Sequence, residues 1–180
     1  MVAAKLMTVA EFAAIGEPGR FDLIEGEVVA MSPASFRHGG TAGTTLGLLA
    51  AFIVPRKLGR LTTAEGGFHL GGRPPTVLCP DVAFVRAERE PDSSHRGFFI
   101  GPPDLAVEVI SPSESGPMVA RKVRLYLDAG CPLVWCVYPQ QRTIVVHAPG
   151  VSPRTLHAGD ILDGGDVLPG LLIAVADIFA

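Results

Sequence analysis

Long apolar runs, lysine and cysteine are all scarce in this 180-residue chain, and each scarcity excludes something. The longest apolar stretch, 46-LGLLAAFIVP-55, is far too short to span a bilayer. After Lys5 only a few apolar residues precede Glu11, without the hydrophobic core or cleavage site of a signal peptide. A cytoplasmic protein is the expectation. Cys79, Cys131 and Cys136 are odd in number, form no C-x-x-C pair and sit in apolar surroundings. Buried free thiols are therefore expected, not disulfides or zinc ligands. There is no low-complexity tract, long charge block or internal repeat, which argues against disorder and solenoids. A G-x-S-x-G elbow, a P-loop and a dinucleotide fingerprint are also missing, so hydrolase-fold, ATP and NAD readings drop out. The formal charge of −3 gives no global attraction to nucleic acid, although a local basic cleft can coexist with it.

What is present fits one domain over residues 1–180, long enough for a sizeable core. Thr8 and Glu11 have the spacing of a capping box and predict a short helix ending near Gly16. The run 21-FDLIEGEVVAMS-32 reads as a hairpin turning near Glu25-Gly26. From Ser35 to about Val54 the apolar period becomes helical through Ala42, Leu46, Leu49 and Ile53, and Pro55 is expected to end it. Strands are expected at about 61–70 and 79–85, separated by 71-GGRPP-75. The segment 103-PDLAVEVISPS-113 follows as a strand closed by Pro112. A second helix then runs from about Pro117 to Ala129, with Gly130 as its stop. Segments 133-LVWCVY-138 and 143-TIVVH-147 read as strands, and the apolar tail 167–179 docks on the body. Strands interleaved with two good helices predict an α/β sandwich, a central sheet covered by helices.

Two carboxylates stand where water is being excluded. Glu108 shares one strand face with Ala106 and Ile110, and Asp81 shares another with Ala83 and Val85. A buried carboxylate must protonate, find a cation or bind a metal. If the two strands are neighbours, both acids point into one site, where a divalent cation would remove their repulsion. An arginine partner for Glu108 and a turn cap at Asp81 are the structural alternatives. Only Lys5, Lys57 and Lys122 occur, and Lys122 falls inside the apolar arc of Val119, Val123 and Tyr126 on the second helix. Either its ammonium snorkels to water or it meets the acids of the preceding strand.

The constellation Pro80-Asp81, Glu108-Val109-Ile110 and Lys122 resembles the PD-(D/E)XK nuclease superfamily, in a variant whose lysine sits on the following helix. Within it the chain is similar to the Uma family of restriction-endonuclease-like proteins. The matching patterns are 21-FDLIEGEVVAMSP-33, His38-Gly39, 80-PDVAFV-85, 102-PPDLAVEVISPS-113, 122-KVRLY-126, 128-DAGCPLVW-135 and 168-LPGLLIAVADIF-179. The resemblance implies a restriction endonuclease-like fold, with a central mixed β-sheet flanked by helices and an N-terminal β-hairpin extension. It also implies a metal-dependent phosphodiester hydrolase acting on DNA. Asp81 and Glu108 would hold Mg²⁺ or Mn²⁺, with the Val109 carbonyl as a third protein ligand. Lys122 would orient or help deprotonate the attacking water and offset charge on the scissile phosphate. His38 matches the family's histidine at a helix start and would contact a phosphate.

The helix after Gly39 carries no acid as far as Val54, so any further acid comes from elsewhere. Asp22, Glu25 and Glu27 in the hairpin are the candidates, with Glu27 taken as a secondary substrate contact and Glu25 as a solvated turn. A homodimer would follow the habit of such folds. Two departures from the family pattern touch no proposed ligand: no acid precedes Lys122 within 116-GPMVAR-121, and Leu133-Val134 replace an acidic-aromatic pair. The alternative is a nuclease-fold DNA-binding or assembly module with weak or no activity. In it Arg37, Arg56, Lys57, Arg60, Arg121 and Arg124 would supply phosphate contacts. The acids Asp160, Asp163 and Asp166 lack EF-hand spacing and read as turn formers.

Overall fold

The computed structural model describes residues 6–16, 21–31 and 35–180; Lys5 and the expected hairpin end at Ser32-Pro33 lie outside them. The elements run in the order α1 (Val9–Ala13), β1 (Phe21–Ile24), β2 (Glu27–Ala30), α2 (Phe36–Arg56), β3 (Gly59–Thr63), β4 (Phe68–Gly71), β5 (Thr76–Leu78) and β6 (Val82–Arg86). After a short 3₁₀ turn come β7 (Phe99–Ile100), β8 (Leu105–Val109), α3 (Gly116–Asp128), β9 (Val134–Tyr138) and β10 (Thr143–His147). β11 (Arg154–Leu156), β12 (Ile161–Gly164), β13 (Leu168–Ala174) and α4 (Val175–Ile178) complete the chain.

A six-stranded sheet, ordered β11-β10-β9-β8-β6-β3, forms the centre. It is mixed: β8 and β9 are parallel, as the intervening α3 crossover requires, and the other pairs are antiparallel. Period-two alternation along β8 sorts its side chains between two helices. Val107 and Val109 share one apolar cluster with Leu49 and Ile53 of α2. Ala106 on the opposite face packs with Val119, Val123 and Tyr126 of α3. Both faces of the central strands are therefore covered, which is why β8 is buried at every position.

Four expectations need correction. The hairpin β1-β2 is not an appended extension; it belongs to a second sheet, β2-β1-β5-β4-β7, through the pairing of Leu23 with Val77. The strand expected at 61–70 is two strands in different sheets. Gly66 and Gly67 break it, because a Cβ would meet Thr62 at 2.9 Å and the Phe98 ring at 2.5 Å, so only glycine allows this close fold-back. Pro55 does not stop α2 but lies in its last turn, and Lys57 at φ 54° closes the helix with its N–H on the Val54 carbonyl at 3.1 Å. Of the three acids read as turn formers, Asp160 and Asp166 lie in turns, but Asp163 lies in β12, which pairs with β13.

The strand expected at 79–85 runs Val82–Arg86 and leaves Asp81 just before it, while other local signals act as read. Thr8 and Glu11 form the reciprocal capping box of α1. Ser115 caps α3, Pro117 lies in its first turn, and Gly130 at φ 95° follows its end. All three cysteines are free and buried, and burial pushes the Cys131 and Cys136 thiols up to about 12. Among the described residues no helix is long and apolar enough to cross a membrane.

Candidate active site

The β6–β8 register pairs Val82 with Val107 and Ala83 with Ala106. Asp81 immediately precedes β6, and its Oδ2 accepts the Val109 N–H at 2.7 Å, which brings it to the end of β8 where Glu108 lies. Glu108 points to the α3 side and is 3 % exposed. Lys122, one turn before Tyr126 on the buried arc of α3, is 4 % exposed. Its Nζ donates to Glu108 Oε2 at 2.6 Å, and the Tyr126 hydroxyl donates to Glu108 Oε1 at 2.7 Å. The lysine has not snorkelled; it is an internal counter-ion.

Asp81 is held from the α2 side. His38 Nε2 lies 2.9 Å from Asp81 Oδ1, and the Val109 N–H donates to Asp81 Oδ2 at 2.7 Å. The other ring nitrogen, Nδ1, lies 3.2 Å from Ser111 Oγ, and the Ser111 N–H donates in turn to Glu114. Ser35, the N-cap of α2, fixes the backbone of His38 by accepting its N–H. Thus the sequence places His38 within the first turn of a capped helix, aimed at the strand end.

A third carboxylate completes the cluster. Asp22 of β1, 2 % exposed, brings Oδ2 to 3.2 Å from Lys122 Nζ while Oδ1 accepts the Cys79 N–H at 2.8 Å. It is one of the three hairpin candidates. Glu27, preferred among them, is exposed at the start of β2 and shares none of the cluster's hydrogen bonds; Glu25 is ion-paired with Arg121. Tyr126 carried no sequence signal, because a tyrosine on an apolar helix face reads as core. Asp22 was masked because a four-residue strand shows too little alternation to mark one buried face.

Electrostatically the cluster is short of positive charge: Asp22, Asp81 and Glu108 face one ammonium and an imidazole. Burial, the largest influence, raises Glu108 to about 7; Lys122 opposes the rise, and Asp81 and Asp22 add to it. Although burial disfavours its charged form, Glu108 and Asp22 together hold the Lys122 ammonium firmly protonated, well above the usual lysine range. The hydrogen bond to Asp81 raises His38, against a smaller lowering by burial.

The donor set is one of hard oxygens, suited to Mg²⁺ or Mn²⁺. Each Asp81 and Glu108 oxygen already accepts one donor but retains a second lone pair. Among the described residues no three His, Cys, Asp or Glu side chains are grouped to hold a metal by themselves. An ion here would therefore rest on two carboxylates and complete its shell with a backbone carbonyl, water and substrate oxygen, as Mg²⁺ commonly does. The residues fit such an ion. A cavity of about 320 Å³ between β3, β4 and the 90–99 loop, lined by Phe68, Phe98 and Phe99, includes none of these residues.

Comparison with known families matches residues 9–176 to the model of Uma2, described as "Putative restriction endonuclease". A crystal structure described as a putative nuclease belonging to DUF820, from Anabaena variabilis, superposes with a TM-score of 0.84 at 19% identity. The superposition covers 96% of this chain and 97% of that one. No curated protein matches.

Proposed function

Because the chain belongs to the Uma2 family, we propose that the Asp81–Glu108–Lys122 cluster is the active centre of a metal-dependent nuclease that hydrolyses phosphodiester bonds in DNA. The observation carrying this reading is the convergence of the acid just before β6, a β8 acid and an α3 ammonium at one strand end, with carboxylates in excess. Asp81 and Glu108 would hold Mg²⁺ or Mn²⁺ with the Val109 carbonyl. When bound, the ion supplies Lewis-acid polarisation of a phosphoryl oxygen and neutralises the excess charge.

The protein's own groups take the other tasks. Lys122 is held as an ammonium between two carboxylates, which suits it to orient the attacking water and offset phosphate charge. Its tight protonation argues against its taking the water's proton. His38 and the Val109 N–H hold the Asp81 carboxylate in place. Arg37, exposed beside His38, is available for a phosphate, whereas Arg121 and Arg60 are engaged with Glu25 and Glu90.

The test is nicking of supercoiled plasmid in Mg²⁺ or Mn²⁺ by the wild type and by Asp81→Ala, Glu108→Ala and Lys122→Ala. The reading requires cleavage by the wild type and its loss in all three variants. Equal cleavage by all four proteins would refute it. One observation favours a second reading, a DNA-binding module: every oxygen of both acids already has a protein donor. Salt-sensitive DNA binding that persists in chelator, without nicking under any condition, would select that reading.

A further inference from the structure

Lys122 is shared, and the sharing has a chemical use. Its ammonium touches Glu108 at 2.6 Å and Asp22 at 3.2 Å, all three side chains being almost sealed from water. Glu108 is also a proposed metal ligand, so any charge it directs to an ion is withdrawn from the lysine. A buried ammonium left without a partner is strongly destabilising. Asp22 removes that conflict. It comes from β1 in the second sheet, and the Cys79 N–H, just after β5, fixes its other oxygen.

We propose that Asp22 is a positioning residue that retains the Lys122 ammonium at the site and thereby frees Glu108 to engage the metal. This rests on the metal reading above. Without Asp22 the ammonium has Glu108 as its sole carboxylate ion-pair partner among the described residues, and the ion must compete with it for the same group.

Mn²⁺ binding, followed by electron paramagnetic resonance without nucleic acid, tests this apart from activity. Asp22→Asn keeps the size of the side chain and an acceptor for the Cys79 N–H. It is expected to weaken Mn²⁺ affinity about 10-fold, the scale of outer-sphere effects on metal sites. In a Lys122→Gln background the same substitution is expected to have little effect, because Asp22 acts through the ammonium. An equal loss in both backgrounds, or none in the first, overturns the inference.

A wild type that binds no Mn²⁺ overturns the metal reading as well. A wild type that binds, a Glu108→Gln variant that does not, and an unaffected Asp22→Asn variant would overturn the Asp22 role alone. Should a variant fail to fold, nitrogen NMR of the wild-type lysine ammonium supplies the answer. Its ion-pair contact with the Asp22 carboxylate, read from the dependence of the ammonium shift on that carboxylate, must persist when Mg²⁺ is added, and loss of that contact contradicts the proposal.

Discussion

Glu108 has so little contact with water that burial dominates its protonation, and this gives the metal-free protein a pH signature. Its pKa rises from 4.5 to about 7, mainly through burial, and that of His38 rises from 6.5, mainly through Asp81. A group whose folded pKa is raised contributes stability that is complete below its unfolded pKa and disappears as pH climbs through the folded one. Glu108 therefore loses most of its contribution as pH rises from 4.5 to 7 and the remainder between 7 and 8, where His38, raised above 6.5, adds a loss of its own. Lys122 is silent there because its ordinary value is 10.5, and His147, lowered by burial, acts oppositely but chiefly near and below 6.5. In chelator, calorimetry should give a lower Tm at pH 8 than at pH 7, with a smaller difference in Glu108→Gln. A Tm that is flat or rising across this interval would contradict the assignment.

At the scale of elements, α2 combines a well-packed inner face with an outer face that invites substitution. Leu49 and Ile53 are fully buried, whereas Gly43 and Gly47 are exposed and an added Cβ at either meets nothing within 4 Å. Glycine in a helix interior costs about 1 kcal/mol relative to alanine. Gly43→Ala with Gly47→Ala should therefore stabilise the protein by about 1–2 kcal/mol, read as a higher urea midpoint at unchanged slope. An unchanged or lower midpoint would mean that this face carries a constraint besides helix propensity. The same helix shows what sequence periodicity can reveal: its inward Leu49 and Ile53 are legible, and so is the inward Lys122 of α3. Polar residues inside apolar patterns stand out, and that made Asp81, Glu108 and Lys122 visible. Asp22 and β4 were not legible, because very short strands provide too few residues to establish a period. Nor does local sequence reveal which sheet a strand joins, since that depends on contacts such as Gly67 against Phe98.

Across the whole molecule, the site is a joint between layers. Asp81 leads into β6 and Glu108 lies in β8 of the six-stranded sheet, and β1 of the five-stranded sheet carries Asp22. Lys122 and His38 arrive from helices on opposite faces of the central sheet. Ile24 and Leu78 of the second sheet share an apolar cluster with α3, so the two sheets are joined by packing around this cluster as well as by its ion pairs. A ligand that binds only when these groups are assembled must stabilise all the layers together, by an amount set by its concentration relative to its dissociation constant. Mn²⁺ is therefore expected to raise one cooperative melting transition, progressively with concentration, and by about 2.7 kcal/mol when present at 100 times its dissociation constant. Glu108→Gln should abolish the shift while still melting in one step. Calorimetry that resolves two transitions in the wild type, with Mn²⁺ moving only one, would show that the sheets unfold separately and that the site does not couple them.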